Sequence, residues 1–387
     1  MHTMKIAFIG QKGIPAVGGG VERYVEDVAV RLAAHGHDVI VYTRPNYTPA
    51  SQKEHKGVTL RSLPSIATKH LDAGTHSFLA SVHAVFAKVD VIHYQSIGPA
   101  FFSWIPKILR PKTKIVSTLQ SRDYEHMKWG AFARFMLKVG ESIMCRCSDE
   151  LIVVSEAMRN YVATEYNLSP TVIPNGANLY EVLTETNHLK NWDLTKDGYI
   201  VAISRLVRHK GLSHLVKAYQ SLTTDKKLVI VGTGAYTDDY VQELHDLAAG
   251  DPHIIFTGSQ TDAALAQLYS HAYLFVQPSE SEGLSLALLE AMARRKAVLV
   301  SDIRENTEAI GDTGFVFKNK DVADLKCQLE MILANPAEAL RKGEAARARI
   351  ESHYNWDTIV IAIENMYNRA HNRNNRHYAF RETLTNN

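Results

Sequence analysis

The 387-residue sequence predicts an α/β protein made of two doubly wound domains facing a cleft. Three observations carry that expectation. Short runs rich in β-branched residues alternate with amphipathic stretches, the pattern of a parallel sheet flanked by helices. The alternation stops once, in a polar stretch rich in turn formers, and then restarts. A chain of this length also exceeds one ordinary core and suits two.

In the first half, strands are expected at 5–9 (KIAFI), 38–42 (DVIVY), 90–94 (DVIHY), 114–118 (KIVST) and 150–154 (ELIVV). Between the first two, Val21, Val25, Val28, Ala29 and Leu32 fall on one face of a helix over 21–35. Residues 174–198 are polar and turn-rich and read as the linker. Second-half strands are expected at 199–203 (YIVAI), 227–231 (KLVIV), 253–256 (HIIF), 272–276 (AYLFV) and 297–300 (AVLV). A helix over 356–371 follows, and the polar tail from Asn372 is expected to fray. The resulting plan is a first domain over 1–175, a linker over 176–198 and a second domain over 199–355. A C-terminal helix over 356–373 packs back on the first domain, and a tail covers 374–387. Ligands of such sheets bind outside the carboxyl ends of the strands.

Hydrophobic content of 45% and charged content of 22% describe a water-soluble globular protein. Lys plus Arg number 43 against 41 Asp plus Glu, a balance that gives no argument for nucleic acid. Cys145, Cys147 and Cys327 match neither a zinc spacing nor a disulfide framework. No secretory leader and no run approaching ~20 apolar residues is evident, so the cytoplasm is the expected compartment.

The most informative segment is QPSESEGLSLALLEAMA, residues 277–293. It reads as a strand end, a tight loop and the first turns of a helix. Glu282 and Glu290 would stand roughly 12 Å apart if both were helical. Between them, the amides of Gly283, Leu284 and Ser285 are expected to open the helix and offer donors and positive potential to an anion. Anion donors between two hydroxyl-binding carboxylates suit a nucleotide-diphosphate sugar. A solvated helix face is the alternative on spacing alone, but Glu290 lies within an apolar run where an exposed charge is less expected.

Four further segments bear chemistry. GQKGIPAVGGG (10–20) lies between a strand and a helix, and Gly19 and Gly20 are read as a phosphate or sugar contact; the dinucleotide fingerprint is absent. SRLVRHKG (204–211) sets Arg205 and Lys210 at a strand end, where they can grip phosphate oxygens and stabilise a leaving diphosphate. FTGSQT (256–261) places Gly258 in a turn that could clasp a base or serve as a plain β–α loop. TLQSRDYEHMKW (118–129) crowds Asp123 and Glu125 at a strand-to-helix junction, with acceptor recognition or helix capping as the two readings. Around it, Phe101, Phe102, Trp104, Lys107 and Arg110, then Lys128, Trp129, Phe132, Arg134, Phe135 and Lys138, mix aromatics with bases. Such composition fits the interface of an anionic membrane, or core aromatics with snorkelling bases. His37 and His93 are isolated and read as structural, and no histidine pair has metal spacing.

GGGVERYVEDVAVRLAAHGHDV, SRLVRHKG and PSESEGLSLALLEAMA, in this order, resemble the retaining glycosyltransferases of the GT-B fold that carry an E-x7-E motif. The resemblance spans roughly residues 5–366. IGQKGIP and RDYEHMKWGAFAR are further similar to a bacterial polysaccharide subgroup that includes rhamnosyltransferases. It implies two Rossmann-like domains and transfer of a hexosyl or deoxyhexosyl group from a nucleotide-diphosphate donor to a glycan or lipid-linked acceptor. It further implies no metal and no cofactor, and attachment to the inner face of the cell membrane. Arg205 and Lys210 match the diphosphate-holding pair, Glu290 the ribose-binding carboxylate, Glu282 the carboxylate beside the donor sugar, and Gly19 and Gly20 the first-domain loop near the diphosphate. One departure falls on Gln120, where relatives generally have His; an amide hydrogen-bonds a hydroxyl but does not titrate near neutrality. Gln120, Asp123 and Glu125 are therefore the acceptor-side candidates. A nucleotide-sugar epimerase and a non-catalytic donor-binding partner remain open as alternatives.

Overall fold

The computed structural model describes residues 3–68, 71–122, 130–181, 183–234 and 237–385, without the side chains from 372 onward. Its strands are β1 (Lys5–Ile9), β2 (Asp38–Thr43), β3 (Glu54–His55), β4 (Val58–Ser62), β5 (Val91–Gln95), β6 (Lys114–Leu119), β7 (Glu150–Val153) and β8 (Thr171–Val172). They continue with β9 (Tyr199–Ile203), β10 (Lys227–Val231), β11 (Ile254–Gly258), β12 (Leu274–Gln277), β13 (Ala297–Ser301) and β14 (Phe315–Phe317). The helices begin with α1 (Gly20–Ala34), α2 (Asp72–Phe86), α3 (Ile97–Ala100), α4 (Trp104–Leu109), α5 (Ala131–Cys147) and α6 (Glu156–Tyr166). Next come α7 (Leu212–Gln220), α8 (Asp238–Ala248), α9 (Asp262–Ser270) and α10 (Leu286–Ala293). The last are α11 (Arg304–Ile310), α12 (Val322–Ala334), α13 (Pro336–His353) and α14 (Trp356–Thr385).

Two compact Rossmann-like units result. One joins the chain up to Pro174 with the chain from Trp356 onward; the other spans Asn175–Asn355. The first unit holds an eight-stranded sheet in the order β3-β4-β2-β1-β5-β6-β7-β8, parallel throughout except for the β3–β4 hairpin. Lys56 and Gly57 turn that hairpin with positive φ at both positions, the geometry of a tight two-residue turn. The apolar face foreseen for α1 is buried: Val25, Val28, Ala29 and Leu32 are closed to solvent.

Helix α14 completes this unit. Its Glu364 carboxylate, 1% exposed, meets His37 Nε2 at 3.1 Å and His35 Nδ1 at 3.0 Å. The amide of Met4 donates to His37 Nδ1, so the Nε2 proton goes to Glu364. Tyr367 hydroxyl lies 2.6 Å from His93 Nδ1, and Thr118 Oγ1 lies 2.6 Å from Nε2. Both single histidines thus tie strands and the last helix together. The backbone of α14 continues as helix to Thr385, past the expected fraying point, because no Gly or Pro interrupts 356–385.

The second unit holds a fully parallel sheet in the order β11-β10-β9-β12-β13-β14. Counted within the unit this is 3-2-1-4-5-6, so the strand order reverses between β9 and β12. Residues 175–198, assigned by composition to a linker, carry packed contacts within this unit. Leu189 is fully buried, His188 N donates to Gln267 Oε1, and Gln267 Nε2 donates to Asn187. The side chains of Gln267 and His271 bond the backbone of this segment at His188 and Glu185, a fixation from distant sequence that composition alone reads as looseness.

Burial pushes His93 down to about 3, and burial together with the Arg44 charge pushes His76 down to about 4. Between roughly pH 6.5 and those values the unfolded chain binds protons that the folded chain refuses, so stability is full above the unfolded value and falls as pH drops. His93 alone should remove about 2 kcal/mol between pH 7 and pH 5. Urea unfolding of His93→Gln should show a pH decline smaller by that amount; an unchanged decline would exclude His93 as its source.

Candidate functional site

In a 3-2-1-4-5-6 sheet, the loops leaving strands 1 and 4 diverge to opposite faces and leave a crevice at their carboxyl ends. Here those are the loop after β9, residues 204–211, and the loop after β12, residues 278–285. Both of the strongest sequence motifs therefore land at the switch point.

They are joined there by side chain and backbone. Lys210 Nζ meets Glu282 Oε1 at 2.6 Å, with the two side chains 14% and 8% exposed. Glu280 N donates to His209 O at 2.8 Å. Gly211, at φ +66°, packs so closely that a Cβ would lie 1.9 Å from Pro278 O. The Glu280 carboxylate takes bonds from His214 Nε2 and Lys320 Nζ, each at 3.0 Å. Burial opposes its charge, but the bonds and charges of Lys320 and His214 outweigh burial and hold the carboxyl below its usual range.

A polar belt supports the second loop from below. Ser285 Oγ donates to Gln277 Oε1 at 2.6 Å and caps α10 by accepting from Leu288 N at 3.3 Å. Gln277 Nε2 donates to Asn306 Oδ1, and Asn306 Nδ2 to Ser301 Oγ. Asn175 Nδ2 holds Leu284 O at 3.1 Å. Its Oδ1 is buried and without a partner among the described residues.

The sequence expectation needs correction at the helix start. Gly283 and Leu284 precede α10, Ser285 is its cap, and the first helical amide is that of Leu286. Glu282 is therefore not helical, and the helical rise does not set its separation from Glu290. The reason is the cap: a serine that bonds Leu288 N fixes non-helical backbone at its own position. Glu290 stands on α10 beside Arg294, whose Nη1 lies 3.8 Å from Glu290 Oε2. That guanidinium is stacked 3.4 Å from the Tyr180 ring centroid and 4.9 Å from that of Tyr269. Sequence reasoning missed Asn175, Tyr180 and Arg294. The i,i+4 spacing of Glu290 and Arg294 was the one available cue.

Of the two bases, Lys210 ends a 3-10 turn and is engaged, whereas Arg205 is exposed and pairs with no carboxylate among the described residues. Arg208, between them, bonds Glu243 at 2.6 Å and lies over Tyr240, away from the pair. Gly258 closes β11 at φ +70° with open space where a Cβ would stand. Its carbonyl accepts from Gly232 N at 2.9 Å, and a Cβ on Gly232 would sit 1.9 Å from Ser204 O. Backbone contact alone thus links Gly258 through Gly232 to the residue before Arg205.

In the first unit, Gly19 caps α1 at φ +99° and Gly20 begins it. The space of a Gly19 Cβ is filled by Glu22 Oε2, at 2.1 Å from the ideal position. Glu22 also accepts from Lys12 N, and Glu26 from Ala16 N, so the loop already holds two carboxylates. Gln120, 9% exposed after β6, donates from Nε2 to Gln95 Oε1 at 3.2 Å; Gln95 Nε2 is buried without a partner among the described residues. Asp123 and Glu125 lie outside the described residues.

Residues 185–349 match the family model for glycosyl transferases group 1, and residues 18–181 match that for glycosyltransferase family 4. The chain is 28% identical to glycogen synthase of Mycobacterium tuberculosis over 94% of both proteins. It is 26% identical to D-inositol 3-phosphate glycosyltransferase of Gordonia bronchialis, over 96% of this chain and 87% of that one. Its fold superposes on sucrose-phosphate synthase of Thermosynechococcus elongatus with a TM-score of 0.79, at 24% identity over 95% of this chain and 98% of the other. Anabaena Alr3699/HepE in complex with UDP-glucose gives 0.78 at 19% identity, over 94% and 99%. The fold is that of the GT-B glycosyltransferases.

Gly211→Ala should destabilise the second unit by about 2–4 kcal/mol, since it combines a left-handed backbone with a clash against a carbonyl. Ser213→Ala, two residues on, should change little. Melting curves of the two variants check this, and equal melting temperatures would refute the close approach.

Proposed function

We propose that this chain, a member of the group 1 glycosyltransferases that use a nucleotide sugar, is a retaining, metal-independent transferase of bacterial polysaccharide assembly. It would move a hexosyl or deoxyhexosyl group to a glycan or lipid-linked acceptor. The observation that carries the reading is the Lys210–Glu282 pair at the switch point of the second sheet. A cation and a carboxylate, 72 residues apart in sequence, are brought within one hydrogen bond.

In this reading the donor diphosphate replaces Glu282 as the partner of Lys210, with Arg205, which pairs with no carboxylate among the described residues, as the second cation. Lys210 then carries the charge that grows on the leaving phosphate, and the freed Glu282 accepts from hydroxyls of the donor sugar. The amides of Gly283, Leu284 and Ser285 and the start of α10 supply further anion donors. Glu290, oriented by Arg294, takes the ribose hydroxyls, and Gly258 offers backbone to the base. Gly19 and Gly20 remain proposed donor contacts in the first unit. The Glu22 charge at the same helix head favours a hydroxyl there over a phosphate. The acceptor oxygen bonds the anomeric carbon on the face from which the phosphate oxygen departs. Its proton passes to that phosphate oxygen, so configuration is kept. Relatives that make glycogen, and the capsular polysaccharide biosynthesis glycosyltransferase CapM of Staphylococcus aureus, support the polysaccharide assignment.

Glu282→Ala and Lys210→Ala should each lower transfer at least about 100-fold. Both should fold, because the two loops are also joined by the Glu280–His209 bond and the Gly211–Pro278 contact. A thermal-shift screen over UDP-, GDP- and dTDP-sugars identifies the donor, and transfer is then followed with acceptor present and absent. Full activity in both variants would overturn the reading, and donor conversion without acceptor would establish an epimerase instead.

A further inference from the structure

The first sheet has a switch point of its own. The chain moves from β1 toward β2 on one side and resumes at β5 on the other, so strand order reverses between β1 and β5. The loop after β1 packs on the end of β5 there, since a Cβ on Gly10 would stand 2.5 Å from Gln95 O. Two residues on, Lys12 N donates to Glu22 Oε1 at 3.0 Å, which brings the head of α1 to the same edge. Gln120 reaches this edge from the end of β6 through its bond to Gln95.

Glu22 is 7% exposed, yet only one of its oxygens is engaged. Oε2 lies over Gly19, in the space a side chain there would take, and accepts from no group among the described residues. Gln120 has the same character. Its Nε2 is committed to the fully buried Gln95, which leaves Oε1 without a donor among the described residues. Two largely buried side chains at one edge of the sheet thus hold unused acceptor oxygens.

Unused acceptors select a ligand that donates. A hydroxyl can give a proton to each oxygen, whereas an ionised phosphate has none to give and meets the Glu22 charge. The neighbouring charges are mostly spent. Glu26 is engaged by Ala16 N and His55, Arg44 by Asp72, and Arg122 lies over the Tyr161 ring. The exposed Lys12 side chain sets one cation against the Glu22 carboxylate. Asp123 and Glu125, acids further along the same junction, lie outside the described residues.

We infer that Glu22 Oε2 and Gln120 Oε1 bind hydroxyls of an uncharged sugar ring, with Glu22 as a specificity-determining residue. The inference rests on the transfer reading and extends it: the ring is that of the acceptor or of the glycosyl group on the donor.

Glu22→Gln tests it. The variant keeps the oxygen that takes Lys12 N and replaces Oε2 with an amide group that donates. With the donor found by thermal shift, transfer is measured onto octyl glycosides of glucose, galactose, mannose and rhamnose, and onto monodeoxy forms of the one accepted best. The KM of one substrate should rise about tenfold with kcat little changed. A rise for the octyl glycoside identifies the acceptor ring, and a rise for the nucleotide sugar identifies the donor glycosyl. In the acceptor case, the deoxy sugar that lacks the bound hydroxyl should be poor for the parent and no poorer for the variant. Gln120→Met, of similar length without the oxygen, should shift the same KM. The bare nucleoside diphosphate has no such ring and should bind parent and variants alike. Unchanged KM values in folded variants overturn the inference and leave the transfer reading standing, and so does weakened binding of the bare nucleoside diphosphate. A parent chain that binds no nucleotide sugar fails the transfer reading itself, and this inference with it.

Discussion

Lys210 and Glu282 meet at 2.6 Å at the one place in the second sheet where strand order reverses. Both side chains are largely withdrawn from water, so each charge depends on the other for compensation. A site of this kind is preorganised and self-satisfied. In the proposed reading, an anionic ligand that takes over the lysine releases the carboxylate for hydrogen bonding. The flanking atoms make that exchange local. The two loops are also held by main-chain contacts at Gly211 and Glu280, so the ion pair can open without the loops separating.

Close main-chain approach is the second constraint. Gly211 and Gly232 each place hydrogen where a methyl group would overlap a carbonyl of the neighbouring loop. Those contacts bring the ends of β9, β10, β11 and β12 into one continuous backbone surface. The polar belt from Ser285 through Gln277 and Asn306 to Ser301 sits behind it and leaves few ways for the α10 cap to move. Rigidity in the loops comes from this bonding, not from regular secondary structure.

Much of this was legible in the sequence, and the limits are physical. Strands such as Lys5–Ile9, Tyr199–Ile203 and Lys227–Val231 stand out because their central, doubly buried position demands uninterrupted apolar runs. β8 and β14, two and three residues long, give no run to detect. The segments 204–211 and 277–293 stood out as carriers of charge at strand ends, but gave no sign that Lys210 would face Glu282, since pairing across 72 residues is set by strand order. Asn175 and Tyr180 escaped notice because their polar, turn-rich surroundings resemble a linker. Their partners, Leu284 and Arg294, lie more than a hundred residues downstream.

The last helix belongs to the first unit, where Glu364 and Tyr367 bond His37 and His93. A ribosome delivers that helix only after the whole of 175–355 has emerged. The second unit is continuous in the chain and can fold while translation proceeds. The first must wait, its α1, β5 and β6 partners uncovered, for the closing segment. Nascent chains halted before Trp356 would therefore hold one finished half and one that chaperones still need to shield.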